Sequence, residues 1–250
     1  MLRLTTLALV AAFAAAANAP ARAADEPKDV VAKAIKAHGG EKVLGKFKAA
    51  QVKVKGTVDV PGAGEVEFTQ ETSYMFPDKF RDSHELTVNG QTVSVLLVVN
   101  GDKVLVEVNG KEVDAGDKVK DALKEVRRVI QVGRLVTLAD KKYELSLIGE
   151  DKVEGRKAVG VRVSSKGEGD VGLYFDQKTG LTAKVEFRTA DPATGNEVTE
   201  ERIVTEYAKN KDGVPTPKKI LIKRDGKKYV EAEVVEMQML EKLDDAVFKK

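Results

Sequence analysis

Gln51-Val52-Lys53-Val54-Lys55-Gly56-Thr57-Val58-Asp59-Val60, followed by Pro61-Gly62-Ala63-Gly64, decides the fold. Val52, Val54, Val58 and Val60 alternate with Lys53, Lys55, Thr57 and Asp59, the period of a strand with one buried face. Pro-Gly-Ala-Gly is a turn. The same period continues downstream. Val66, Phe68, Tyr74 and Phe76 form a run closed by Pro77-Asp78, and 80–88 leads into Asn89-Gly90. Residues 92–99 lead into Asn100-Gly101-Asp102, and Val104, Val106 and Val108 into Asn109-Gly110. Asn-Gly is the strongest short hairpin signal. Five strands joined this tightly must be antiparallel neighbours, because parallel ones need long crossovers.

Working outward, 25–46 predicts a first helix, with Asp25 or Asp29 able to cap it. Val30, Val31, Ala34, Ile35 and Ala37 form its apolar stripe, and Gly39-Gly40 its stop. A short second turn follows over 41–47. A second helix is predicted over 117–138, capped by Asp117, with Val119, Leu123, Val126, Val129 and Ile130 on one side and a break at Gly133. The β period then resumes over 143–148, 158–164, 171–176, 181–188, 198–207, 218–224 and 229–239, and 244–248 reads as a closing helical turn. The expected fold is mainly β: one large curved antiparallel sheet of about 11–12 strands, covered by a few α-helices.

Residues 1–23 read as a secretory signal peptide. Met1-Leu2-Arg3 is its positive start, 4–17 its apolar run, and Ala21-Arg22-Ala23 its small-residue cleavage site. The apolar run is short for a membrane span. Cleavage after Ala23 leaves 24–250 as a single β domain, exported and not an integral membrane protein. It also removes Arg3 and Arg22 and no acidic residue, leaving 40 basic against 40 acidic side chains. That neutrality argues against nucleic acid as a partner. With no cysteine, stability rests on sheet pairing and packing, and no lipid can be attached through a cysteine.

Catalytic signatures are absent. His38 and His84 are the only histidines and lie in different elements, without HxH or HExxH spacing, so no metal site is expected. His38, ahead of Gly39-Gly40, reads as a helix C-terminal residue whose imidazole meets the last carbonyls. Gly160, Gly167, Gly169 and Gly172 fit strands and hairpins, not a phosphate loop. Ser164-Ser165 lies at a strand end without GxSxG, and Glu200-Glu201 and Asp244-Asp245 fit solvated faces. Asp82, His84 and Glu85 form the one local polar cluster. Lys118, Lys120, Lys124, Arg127 and Arg128 give the middle helix a basic face. It is either a dock for an acidic partner or anionic headgroups, or a solvated face tempered by Asp121 and Glu125. No enzyme activity and no cofactor are expected.

Several short stretches together resemble a known family: Ala37-His38-Gly39-Gly40, Lys53-Val54-Lys55-Gly56, Gly149-Glu150-Asp151-Lys152-Val153-Glu154-Gly155-Arg156, Leu173-Tyr174-Phe175-Asp176-Gln177-Lys178-Thr179-Gly180-Leu181, Gly213-Val214-Pro215-Thr216-Pro217 and Leu243-Asp244-Asp245-Ala246-Val247-Phe248. In this order, behind a signal peptide, they resemble the periplasmic LolA/LolB-like superfamily of outer-membrane lipoprotein-sorting proteins. The resemblance implies an unclosed antiparallel half-barrel whose concave side is covered by helices. It also implies a monomeric periplasmic carrier of lipoprotein acyl chains or other lipid, with possible envelope protein partners. The alternative it allows is a sensor or scaffold of the same fold that binds a protein or glycolipid without transport. Arg81 and Arg127 are the candidates for an arginine contacting the helical lid. Large apolar residues of the alternating strands, Val52, Val54, Phe68, Tyr74, Leu97, Val106 and Phe175, are the expected ligand-lining set.

Overall fold

The computed structural model describes residues 26–114, 116–191 and 194–249. The expected signal peptide, its expected cleavage point and Asp25 lie outside them. Helices α1 (Pro27–Ala37) and α2 (Glu41–Lys46) open the fold. Pro27 takes the first helical turn, where its missing N–H costs nothing, and Asp29 complements the dipole there instead of capping. Gly39 and Gly40 separate the helices with φ of 109° and 90°, conformations cheap only for glycine.

Six strands follow: β1 (Ala49–Val60), β2 (Gly64–Met75), β3 (Lys79–Val88), β4 (Gln91–Asn100), β5 (Lys103–Val108) and β6 (Lys111–Glu112). Then come α3 (Gly116–Gly133), a 3-10 turn (Val136–Ala139) and seven more strands. These are β7 (Tyr143–Val153), β8 (Arg156–Ser165), β9 (Val171–Asp176), β10 (Thr182–Ala190), β11 (Glu197–Lys209), β12 (Pro215–Arg224) and β13 (Lys227–Leu240). A second 3-10 turn, Asp245–Phe248, closes the described chain. Both central residues of the turns at Asn89-Gly90, Glu154-Gly155 and Asp225-Gly226 have positive φ, the hairpin geometry whose twist matches the strands. β6 adds one strand to the expected number; two residues are too short to show a period.

All thirteen strands form one antiparallel, unclosed sheet in the order β6-β5-β4-β3-β2-β1-β13-β12-β11-β10-β9-β8-β7. Two meanders therefore meet at a central seam, where β1 pairs with β13 from Ala49 opposite Leu240 to Val58 opposite Val230. Lys53 faces Glu236 while Val54 faces Val234, so Val235 is an extra, outward-turned residue, 56% exposed. Such a bulge increases local twist.

Helix α3 connects the two edge strands and lies across the sheet. Its basic face is partly a fastening. Arg127 donates to the carbonyls of Asp78 (3.2 Å) and Gly101 (3.3 Å), and buried Arg128 donates to Glu125 and to the Gly169 carbonyl at 2.7 Å. The helix is thus tied to turns of both meanders. Only the neighbouring lysines meet the solvated description, with Lys120 on Asp114 and Lys124 on Asp121. Beneath α1 and the second half of α3 the sheet face is solidly packed: Val30, Ala34, Val129 and Val132 meet Val161, Leu173 and Phe187.

Candidate functional site

Under the first half of α3 the packing gives way to a cavity of about 450 Å³. Its lining includes Leu97 of β4 and Thr189 and Ala190 of β10, third and tenth in the sheet order. A flat sheet would hold those strands about 34 Å apart at ~4.8 Å per strand. The sheet therefore curls around this space, with α3 as its cover. Val119, Leu123, Val126 and Ile130 form the roof, and Val52, Val54, Val58, Phe68 and Leu86 part of the wall.

Two polar groups interrupt the lining. On β2 and β3, the Asp82 carboxylate accepts from Thr72 Oγ1 at 2.6 Å, Gln70 Nε2 at 2.9 Å and His84 Nε2 at 2.6 Å. Strand alternation puts these four side chains on the cavity face, whereas Glu85 belongs to the opposite face. On β11 and β12, buried Glu200 is held by Arg202 at 2.8 Å and Arg224 at 3.1 Å. Arg224 also reaches Asp191 at 2.8 Å and stacks over the Tyr229 ring. Burial pushes the Glu200 carboxyl up, but the two guanidiniums together outweigh it and hold it below the usual range. Glu200 is not on a solvated face as expected. Its partner Arg202 lies two residues on, so alternation turns both inward, and that same-face opposite-charge spacing is the signal that could have revealed them. Glu201 points the other way, onto Lys184 at 2.9 Å.

A second, adjoining cavity of about 260 Å³ lies at the α1–α2 end. Ile130 lines both. Here His38 Nδ1 donates to the Ala34 carbonyl at 2.8 Å, and Nε2 accepts from the Thr182 N–H at 3.4 Å. Burial lowers the His38 pKa, with the Ala34 bond opposing it, in keeping with a neutral ring. Tyr207 donates to the Thr182 carbonyl at 2.9 Å. Arg134, which sequence reading did not single out, reaches from the end of α3 to the carbonyls of Leu44 (3.3 Å) and Phe47 (2.8 Å), and its guanidinium stacks on Phe76 at 4.3 Å. A larger hollow, about 1010 Å³, lies on the opposite sheet face, rimmed by exposed charges such as Lys55, Glu67, Glu85 and Glu231. It offers an apolar guest little cover.

Of the expected lining residues, Val52, Val54, Phe68 and Leu97 lie together in the larger cavity, and Tyr74 in the smaller one. Val106 packs under α3 beside Leu123, and Phe175 in the solid core beneath α1. Among the described residues no cluster of three or more His, Cys, Asp or Glu can hold a metal. No helix among them is long and apolar enough to cross a membrane.

The chain thus forms an open antiparallel sheet, curled beneath a helical cover and hollow along part of its concave face, the kind of space in which ligand pockets occur. No family model matches the chain, and no curated protein matches it in sequence. Among solved structures it is similar to a LolA superfamily protein from Nitrosomonas europaea, at 13% identity over 91% of this chain and 99% of that one, with a TM-score of 0.53. It is equally similar to a DUF1329 family protein from Desulfovibrio piger ATCC 29098, at 13% identity over 90% and 98%, with a TM-score of 0.53. The fold is LolA-like.

Proposed function

We propose that the protein, exported as residues 24–250 after cleavage behind Ala23, is a monomeric periplasmic carrier that shelters the apolar part of an amphiphile beneath α3. Lipoprotein acyl chains bound for the outer membrane are the proposed cargo. The observation that carries this reading is the uneven filling of the concave face. One half is a packed core, while the other is an apolar cavity within the size range of ligand pockets, about 300–1,000 Å³. Sheltering chain methylenes from water recovers about 0.8 kcal/mol each, which supports binding without covalent chemistry. We assign no catalytic role to Asp82 and His84, which sit in a wall otherwise suited to a hydrocarbon guest.

Mass spectrometry of protein purified from its native envelope is expected to find a bound acyl-chain lipid or lipoprotein, and N-terminal sequencing to begin at Ala24. Val54→Trp, which fills the cavity from β1, is expected to weaken binding of a fluorescent fatty-acid probe more than tenfold. Its melting temperature should stay close to wild type, because the added ring occupies space that is already empty. A wild-type protein that neither carries lipid nor binds the probe would overturn the carrier reading. It would favour a sensor or scaffold of the same fold, which crosslinking to a protein or glycolipid partner would reveal.

A further inference from the structure

The smaller cavity contains a charge that the fold leaves uncompensated. Arg134 lines it, and no Asp or Glu does. The guanidinium has no carboxylate partner among the described residues. Both of its hydrogen bonds leave from Nη2 to backbone carbonyls, so the donors on Nε and Nη1 have no partner among the described residues. Partly burying a cation without an anion is costly, and that burial lowers the Arg134 pKa. Beside it stands Tyr74. Its ring packs on Phe76, the same ring that Arg134 covers, and its hydroxyl has no partner among the described residues. Burial pushes that hydroxyl up to about 12 despite the opposing pull of Arg134, so it remains a proton donor at neutral pH. The other polar groups nearby are engaged: the His38 ring with Ala34 and Thr182, and the Tyr207 hydroxyl with the Thr182 carbonyl.

We infer that Arg134 and Tyr74 form an oxyanion site for the headgroup of a single-chain anionic amphiphile, whose tail passes Ile130 into the larger cavity. This rests on the reading of that cavity as a ligand site. A carboxylate or phosphate monoester accepts from a guanidinium and a phenol together, and charge-assisted bonds are the strong ones. The position in the adjoining cavity, outside the larger one, sets chain direction: head toward α2, tail toward β3 and β4. The larger cavity offers no such cation for the reverse orientation: its Arg202 and Arg224 are already paired with Glu200 and Asp191.

Isothermal titration of the exported form with dodecanoate, methyl dodecanoate and inorganic phosphate at neutral pH tests this. Wild type is expected to bind the acid at least about tenfold more tightly than the ester, one charge-assisted hydrogen bond's worth of preference, and free phosphate only weakly. Arg134→Met should bring the acid-to-ester ratio to about one while leaving ester affinity in place. Tyr74→Phe, which keeps the ring and does not touch the α2 carbonyls, should lower the ratio severalfold even if Arg134→Met unfolds. Equal wild-type affinity for acid and ester would overturn the headgroup site and leave the carrier intact. Phosphate binding as tightly as dodecanoate would make this a site for a free anion and overturn the amphiphile. Failure of both dodecyl probes to bind would overturn the site together with the carrier reading.

Discussion

Gly56→Ala is expected to destabilise the protein by at least about 3 kcal/mol, the upper end of overpacking costs, and to lower its melting temperature by roughly 6–12 °C for a chain of this size. A methyl group at position 56 would lie 2.1 Å from the Glu231 carbonyl oxygen and 2.8 Å from the Ala232 Cα. These are backbone atoms of β13 that cannot move without breaking the seam. Glycine here allows the close approach of two strands that a sharply twisted, bulged sheet requires. A methyl group on Gly45 of α2 would meet open space, with no neighbour within 4 Å, so Gly45→Ala should be neutral or slightly stabilising. Thermal melts of the two variants make the comparison. If Gly56→Ala melts with wild type, β1 and β13 do not approach as described.

The second large effect is expected at Glu200. Glu200→Gln keeps the shape but leaves Arg202 and Arg224 facing the cavity without their shared carboxylate. Losing one member of a buried ion cluster costs about 3–5 kcal/mol. The arginines are partly exposed, at 27% and 16% of their side-chain surface, and Arg224 keeps Asp191, so the low end, about 3 kcal/mol, is expected. The pH dependence follows from the depressed carboxyl. Its contribution is present in full above the ordinary glutamate value of 4.5 and is lost as pH falls through the lower folded value. Urea unfolding at pH 7 and pH 3 should therefore show a wide gap between wild type and variant at neutrality that narrows in acid. A gap unchanged between the two would remove Glu200 from this role.

Much of the fold was legible because it is local. Alternating valines and Asn-Gly turns specify hairpins, and Asn89-Gly90 adopts the backbone such a pair favours. What stayed hidden is non-local. No local pattern joins Ala49 to Leu240, or tells which strands meet across a curled sheet. The face turned toward the helices was equally closed to sequence reading, since a one-residue shift exchanges the two sets of side chains. The cavity was hidden for a different reason: Val54, which borders empty space, and Val161, which lies in solid core, are the same residue type in the same alternation. Arg134 carries no signal of its own in the sequence, because the carbonyls of Leu44 and Phe47 and the ring of Phe76 gather around it only in the fold.

The sheet is inside-out with respect to the chain. Its outermost strands, β6 and β7, are consecutive in sequence, while its central pair joins the first strand to the last. Each hairpin closes over a short loop, but the seam must wait for almost the whole polypeptide. The entropic toll of that wait is modest, since loop closure grows by only about 0.6 kcal/mol per doubling of length; the demand falls on search time. The topology also separates what the covalent chain holds from what the hydrogen bonds hold. A nick between β6 and α3 would break no strand pair. Opening the single seam would part the sheet into blocks of six and seven strands, with α3 as the hinge between them.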